Sequence, residues 1–440
     1  MLALSGNALL IFTGTVLLGL LAISVPVAAA LGWLALLLQW TQLGWDASLH
    51  LALGEIVWQN GVEYVLVAIP LFIMLGEVLL RAGIAERMYN AMVQWLSWLP
   101  GGTMHSNIGS CAVFAASSGS SVATAATVGT VAYPEIERRG YNEPLFLGTL
   151  AAGGTLGILI PPSINLIIYG LLTDTSVPQL YLAGFIPGVI LAGLFMMTVI
   201  VAVTYRPSWG GSKVDTSWPD RWRSLPHLLP PLGIFVIVVG SIYAGVATPT
   251  EAASVGVVGS LILAAAFRSL NLGMLREVFE GTLKTTAMIM LIIFAALFLN
   301  FVLGMIGMTA QLVGLIENLG MTPMQTLWVF IAFYLVLGCF METLSMLITT
   351  TPLIAPILIA LGFDPVWLGI LVTLLLEAAL ITPPVGVNLY VVHGIRKGGS
   401  MNDVIIGAAP FVFTLFVMIV ILIYFPDIAL FLPETFYRGQ

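Results

Sequence analysis

Charge is what this 440-residue sequence has least of: 14 Lys and Arg and 21 Asp and Glu make up only 8% of it. Soluble globular domains carry about 25% charged residues. With 59% hydrophobic residues and a mean hydropathy of +1.06, no water-soluble fold hides the apolar surface this chain would expose. Cysteine is nearly absent too. Cys111 and Cys339 sit in apolar stretches without metal-ligand spacing, which argues against a structural disulfide or a zinc centre and leaves them as small core residues. Catalytic signatures are missing as well: there is no HExxH, no paired aspartates in a GxGD-like context, no P-loop and no CxxC. "SSGSS" is superficially like a serine-protease signature and His393 could be imagined as its base, but nothing else supports an enzyme. A cleavable signal peptide is not expected, because no basic residue precedes the first apolar stretch, which runs into a second one.

What the chain does have is a series of apolar stretches of about 20 residues, the length that crosses ~30 Å of hydrocarbon as a helix. The fold class expected is all-α integral membrane. Basic residues orient it, since Lys- and Arg-bearing loops stay cytoplasmic. Arg81 and Arg87, Arg138 and Arg139, the loop with Arg206, Lys213, Arg221 and Arg223, then Arg268, Arg276 and Lys284, and Arg396 with Lys397 are placed inside. Arg438 is the exception at the tail.

Arg87 and Arg138 then share one side although a membrane-length apolar stretch separates them, which predicts a re-entrant hairpin at about 100–138. The same logic between Lys284 and Arg396 predicts a second hairpin at about 323–358, entering from the other side. Crossings are expected at 7–24, 26–40, 62–82, 144–173, 178–204, 229–247, 251–267, 286–306, 366–395 and 405–425. Both termini then lie outside. Residues 83–98 and 308–320 read as amphipathic interfacial helices.

An internal repeat organises these segments. Pro134 and Pro356, Gly140 and Gly362, Asn142 and Asp364, and Pro161 and Pro383 all stand at one and the same sequence offset (356 − 134 equals 362 − 140, 364 − 142 and 383 − 161). Five crossings separate equivalent points, and an odd number inverts the halves, as in many secondary transporters. The division expected is a first inverted repeat at 1–205, a cytoplasmic connection at 206–228, a second repeat at 229–425 and a tail at 426–440.

Two classes of unusual residue fall inside these repeats. "SSGSSVATAAT" suits a hairpin tip: Ser117, Ser118, Ser120 and Ser121 can cap the second arm, and Gly119 permits the turn. Helix N-termini there offer N–H groups to an anion, and free carbonyls and hydroxyls suit a hard cation such as Na⁺. Packing by small residues is the competing reading. The Pro-Pro pairs in "GTLGILIPPSINLIIYG" and "ALITPPVGVNLYVVHG" remove N–H donors and break their helices near mid-membrane, each with an Asn nearby, Asn165 and Asn388. Gly154, Gly157 and Gly386 allow close backbone approach there.

Glu342 in "GCFMETLSMLITTT" stands at the same repeat offset from Ser120, and a carboxylate at membrane depth is a functional candidate, neutralising a cation or carrying a proton; an interfacial Glu is the alternative. Glu377 and His393 lie in the second broken helix. Glu77 reads as a local ion pair with Arg81, and Thr248 with Glu251 as a capping box behind Pro249.

The stretch "FAASSGSSVATAATVGTVAYPEIERRGYNEPLFLGTLAAGGTLGILIPPSINLIIYG" resembles the signature of the large membrane subunit of TRAP (tripartite ATP-independent periplasmic) transporters. "GVATPTEAASVG", "GCFMETLSMLI" and "LITPPVG" are similar to that family's second half, in the expected order. The resemblance covers essentially the whole chain. It implies an inverted-repeat, elevator-type, sodium-driven importer in the bacterial inner membrane, with two re-entrant helical hairpins and Pro-broken transmembrane helices. It also implies a small four-helix membrane subunit and a periplasmic substrate-binding protein as partners, and a small organic anion of the carboxylate or sulfonate class as substrate.

By the same resemblance one Na⁺ site uses Ser118, Ser120, Gly157, Ile160 and Pro162. A second uses Glu342, Thr382 and Pro384, with Glu342 where the family commonly has Asp. Substrate is expected between the hairpin tips, near Ser117, Ser121, Asn165, Ser345 and Asn388. No cofactor beyond Na⁺ and no nucleic acid is expected. A stand-alone Na⁺/anion symporter and a channel are the alternative functions.

Overall fold

A computed structural model describes residues 6–23, 25–44, 47–212, 214, 216–396 and 398–437. Lys213, Lys397 and Arg438, used above to orient the chain, and Ser24 in the first turn lie outside the described residues. Helices run in order as α1 (Gly6–Ala22), α2 (Val27–Leu38), α3 (Ala47–Gly61), α4 (Ala68–Arg81), α5 (Ile84–Leu96), α6 (Thr103–Ser118), α7 (Ser121–Ala132), α8 (Pro134–Arg139), α9 (Glu143–Thr155), α10 (Ile164–Thr173) and α11 (Val177–Tyr205). The second half continues as α12 (Trp218–Ser224), α13 (Leu229–Tyr243), α14 (Pro249–Ala266), α15 (Leu272–Met305), α16 (Met308–Asn318), α17 (Pro323–Gly338), α18 (Thr343–Ala360), α19 (Pro365–Ile381), α20 (Val387–Ile395), α21 (Met401–Tyr424) and α22 (Asp427–Tyr437). No strand occurs among the described residues.

Apart from α8, whose equivalent residues fall at the end of α18, the two halves run through the same elements in the same order. Paired with α1, α2, α3–α4, α5, α6, α7, α9, α10 and α11 are α13 to α21, each starting at nearly the repeat offset read from the prolines and glycines. Caps repeat with the helices. Asn142 accepts from the Leu145 N–H to open α9, and Asp364 accepts from Val366 and Trp367 to open α19. Gly140 and Gly362 both take positive φ, 68° and 96°, at the preceding turn. The break between α3 and α4 has no counterpart: α15 is one helix of 34 residues, about 51 Å long. It starts in the basic cluster, capped by Asn271, rather than at residue 286 as the crossing expected there would begin.

Six helices among the described residues are long and apolar enough to cross a membrane, seven if the pair around the 48° bend before α13 counts as one. Two of the expected crossings, 144–173 and 366–395, are each a pair of shorter helices broken at a Pro-Pro step, α9 with α10 and α19 with α20. The connection at 206–228 carries α12 and folds back: Tyr141 bridges to Gly210, and the Ser212 N–H donates to the Arg139 carbonyl at 2.8 Å. The tail is helical as α22, and packs on α11.

Each hairpin is a helix–turn–helix, α6–α7 and α17–α18. The halves interlock most tightly where α9 meets α21. A Cβ on Gly148 would run into the Gly407 carbonyl, and one on Gly407 into the Pro144 carbonyl, so only glycines allow this backbone approach. Arg396, its side chain 3% exposed, closes the same seam with ion pairs to Glu143 at 2.7 Å and Asp403 at 3.1 Å. Separately, α2, α4, α14 and α15 pack on one another as a second group.

Candidate functional site

The first hairpin turns at Gly119, whose φ of 62° is the left-handed conformation that glycine adopts without strain. Serines stabilise the reversal. The Ser120 hydroxyl accepts from the Ala123 N–H at 3.4 Å, capping α7, while Thr124 Oγ1 donates to the Ser120 carbonyl at 2.7 Å and meets the Ser118 hydroxyl at 3.1 Å. Ser121 donates to the Thr155 carbonyl at 3.3 Å, and Ser117 to the Phe114 carbonyl at 2.8 Å.

Close backbone contacts hold this tip in place. A Cβ on Gly76 of α4 would lie 2.9 Å from the Ser118 oxygen, one on Gly119 2.7 Å from the Pro162 oxygen, and one on Gly157 2.8 Å from the Ser120 carbonyl carbon and the Ser121 nitrogen. Ser118, Ser120, Gly157 and Pro162 are thereby brought together. The Ile160 side chain packs against Gly188 of α11.

At the second tip Glu342 does what Ser120 does at the first. Its carboxylate accepts from the Leu344 and Ser345 N–H groups, both at 3.0 Å, and from the Thr343 and Ser345 hydroxyls at 3.0 and 3.3 Å. Four donors thus converge on one side chain at a helix N-terminus, a denser cap than a serine hydroxyl can make. The Val385 N–H donates to the Cys339 carbonyl at 3.3 Å, which puts this tip beside the second Pro-Pro step. Pro161 and Pro162 are buried, whereas Pro383 and Pro384 are exposed and Thr382 is half-buried. The Thr382 hydroxyl donates to the Ala378 carbonyl at 2.6 Å.

Both tips line a single cavity of about 160 Å³. Its walls bring together the first residues of three helices: Ser121 of α7, Ile164 and Asn165 of α10, and Thr343 of α18. Helix N-termini carry partial positive charge, which favours an anion at α7 and α10, whose caps are serine hydroxyls, while the Glu342 carboxylate already occupies that of α18. Asn165 is 3% exposed and its Nδ2 has no hydrogen-bond partner among the described residues, leaving a donor turned to this cavity.

Ser117, Ser345 and Asn388 do not line the cavity. Asn388 instead donates to the Ala151 carbonyl at 3.2 Å, buried against α9. The opposite wall comes from residues that the sequence did not single out for binding: Gly76 and Glu77 of α4, Thr285 and Ile289 of α15. Glu77 pairs with Arg81, as its spacing predicts, and Arg81 reaches on to Glu277 at 3.2 Å. The lining holds two carboxylates, Glu77 and Glu342, and no Lys or Arg. Among the described residues no three His, Cys, Asp or Glu cluster as a metal centre would need. Both cysteines are free.

A family model described as "Tripartite ATP-independent periplasmic transporter, DctM component" matches residues 15–428 of the chain. A Vibrio cholerae protein named C4-dicarboxylate TRAP transporter large permease protein DctM is 34% identical over 438 residues, covering 94% of this chain and 95% of the relative. The ectoine/5-hydroxyectoine TRAP transporter large permease protein UehC of Ruegeria pomeroyi is 32% identical over 372 residues, 84% of this chain and 86% of its own. Among solved structures the Alcanivorax borkumensis YdaH transporter superposes with a TM-score of 0.64 over 90% of each chain at 14% identity, a likeness of fold.

Proposed function

The chain belongs to the DctM family of tripartite ATP-independent periplasmic transporters as a large membrane permease subunit, and we propose that it imports a small organic acid coupled to Na⁺. Family membership implies a small membrane subunit and a periplasmic binding protein as partners, and the chain acts as a transporter, not an enzyme. The observation that carries the proposal is the convergence of both hairpin tips and three helix N-termini on one cavity whose lining has no basic side chain.

Helix N-termini draw a carboxylate or sulfonate, but two acidic side chains oppose it, so the missing positive charge has to arrive with the substrate as bound cations. Na⁺ meets that need with oxygen ligands. The first ion takes the oxygens gathered at Ser118, Ser120, Gly157, Ile160 and Pro162, and the second those around Glu342, Thr382 and Pro384. Each ion ties a hairpin tip to a Pro-Pro break, and the filled tips then hold the anion. Substrates named for relatives, C4-dicarboxylates and ectoine, set the size range proposed here.

Movement follows an elevator scheme in an inner membrane: the hairpin-bearing parts of the two inverted repeats, with hairpins near 100–138 and 323–358, form one body that slides against the group of α2, α4, α14 and α15. The interlocked α9–α21 seam supports a rigid moving body, since a joint with backbone contacts at glycine has no room to flex.

Proteoliposomes holding this chain with its small subunit, given the binding protein outside, test the reading with radiolabelled succinate and ectoine. Uptake is expected only with the binding protein and an inward Na⁺ gradient. Undiminished uptake with choline in place of Na⁺ overturns the sodium coupling. Uptake without a binding protein makes the chain a stand-alone symporter, and ion currents above about 10⁵ per second, beyond a μs–ms conformational cycle, make it a channel.

A further inference from the structure

Glu377 of α19 is fully buried, and neither carboxylate oxygen has a hydrogen-bond partner among the described residues. An ionised carboxylate in such surroundings is not tolerated without a partner of opposite charge. Nothing in the hairpin sites accounts for it.

Its neighbour is Thr155, at the end of α9. The Thr155 hydroxyl lies within interaction range of the carboxyl group and gives its own proton to the Ala152 carbonyl at 2.8 Å. Toward Glu377 the Thr155 hydroxyl can then offer only a lone pair, so something positive, a proton or a metal cation, has to lie between the two oxygens. Thr155 and Glu377 also occupy the same place in the two halves, since 377 − 155 equals the offset of the proline pairs, 383 − 161.

A third oxygen belongs to the same helix face. Asn388 is fully buried, its Nδ2 bonded to the Ala151 carbonyl and packed on Gly154, while its Oδ1 has no partner among the described residues. Ala151, Gly154 and Thr155 are spaced i, i+3 and i+4, one stripe of α9. Glu377 and Asn388 thus approach a single stripe with unpartnered oxygens.

We propose that Glu377, with the Thr155 hydroxyl and the Asn388 side-chain oxygen, forms an Na⁺ site inside the hairpin-bearing body, apart from the tips. Carboxylate, hydroxyl and amide oxygens are the donors a hard cation prefers. An ion there is linked to the first tip by the bond from Ser121 to the Thr155 carbonyl, one atom group away. Occupancy of the interior site therefore orders the turn that carries Ser118 and Ser120. The proposal rests on the sodium reading above and adds an ion to it.

Equilibrium binding of radiolabelled Na⁺ to the purified full chain with its small subunit decides the matter. Glu377→Gln, which keeps the side-chain volume, should lose one bound ion per chain relative to wild type. Ser118→Ala/Ser120→Ala should lose a different one, and combining the substitutions should lose both. Thr155→Val is read alongside, and should weaken Na⁺ binding at the same site at least tenfold even if Glu377→Gln does not fold. Wild-type stoichiometry in Glu377→Gln, or in Thr155→Val where Glu377→Gln is unfolded, overturns the interior site alone and leaves the carboxylate to a proton. A wild-type protein that binds no labelled Na⁺ overturns the sodium reading and this site together.

Discussion

Ser120 and Glu342, equivalent positions of the two repeats, each cap the second arm of a hairpin and line the same cavity from opposite halves of the sequence. One cap is neutral and the other is a carboxylate with four donors. The two tips are alike in construction and unlike in charge, which gives them separable tests.

Removing the second cap should cost stability before it costs chemistry. Glu342→Ala is expected to lower the unfolding free energy by about 1 kcal/mol, the usual worth of an N-cap. Glu342→Ser, which copies the first tip, should recover most of that in a thermal melt while leaving Na⁺-driven uptake impaired. Equal melting of the two variants would remove the cap from the account.

The close approach at Gly157 is a sharper constraint. Gly157→Ala places a methyl 2.8 Å from the Ser120–Ser121 peptide, which must move. Uptake should fall at least tenfold while the protein still inserts and purifies. Gly140→Ala is the control at the same kind of residue: its Cβ meets nothing, but its φ of 68° is strained for alanine, so stability falls modestly and uptake little.

The α9–α21 seam should be the least forgiving place in the fold. Gly407→Ala drives a methyl into the Pro144 carbonyl, and a loss of about 3 kcal/mol is expected from overpacking, visible as loss of monodisperse protein in detergent. Wild-type melting there would mean the seam is looser than its backbone contacts require.

Arg396 offers an electrostatic test at the same seam. Its guanidinium is buried but Glu143 and Asp403 are each more than a third exposed, so the pairs are partly screened. Arg396→Met should cost about 2 kcal/mol, below the roughly 3–5 kcal/mol typical when a fully buried pair is broken. Thermal unfolding at low and high salt checks it, because high salt should narrow the gap.

Local signals carried much of this architecture. The glycine of "SSGSS" marks a turn, and α6 and α7 reverse there at Gly119. The Pro-Pro steps mark the breaks between α9 and α10 and between α19 and α20, and the capping box at Thr248 and Glu251 forms as spaced. What periodicity cannot reach is contact between distant segments. Glu77, Thr285 and Ile289 join the cavity because α4 and α15 pack across it, and no local pattern announces that.

Asn388 is instructive in another way. The position equivalent to Asn165 is Val387, so Asn388 is one residue on and about 100° further round its helix. Asn165 faces the cavity and Asn388 faces α9. Two asparagines that look equivalent beside their proline pairs are turned in different directions by a single residue of register.

The central claim is that the serine-lined tip binds the coupling ion, and an Na⁺ titration of uptake by Ser118→Ala/Ser120→Ala in the full three-component system tests it most directly. The account predicts a half-saturating Na⁺ concentration at least tenfold above wild type, with the binding protein's own affinity for substrate unchanged. A titration that superimposes on wild type would contradict it.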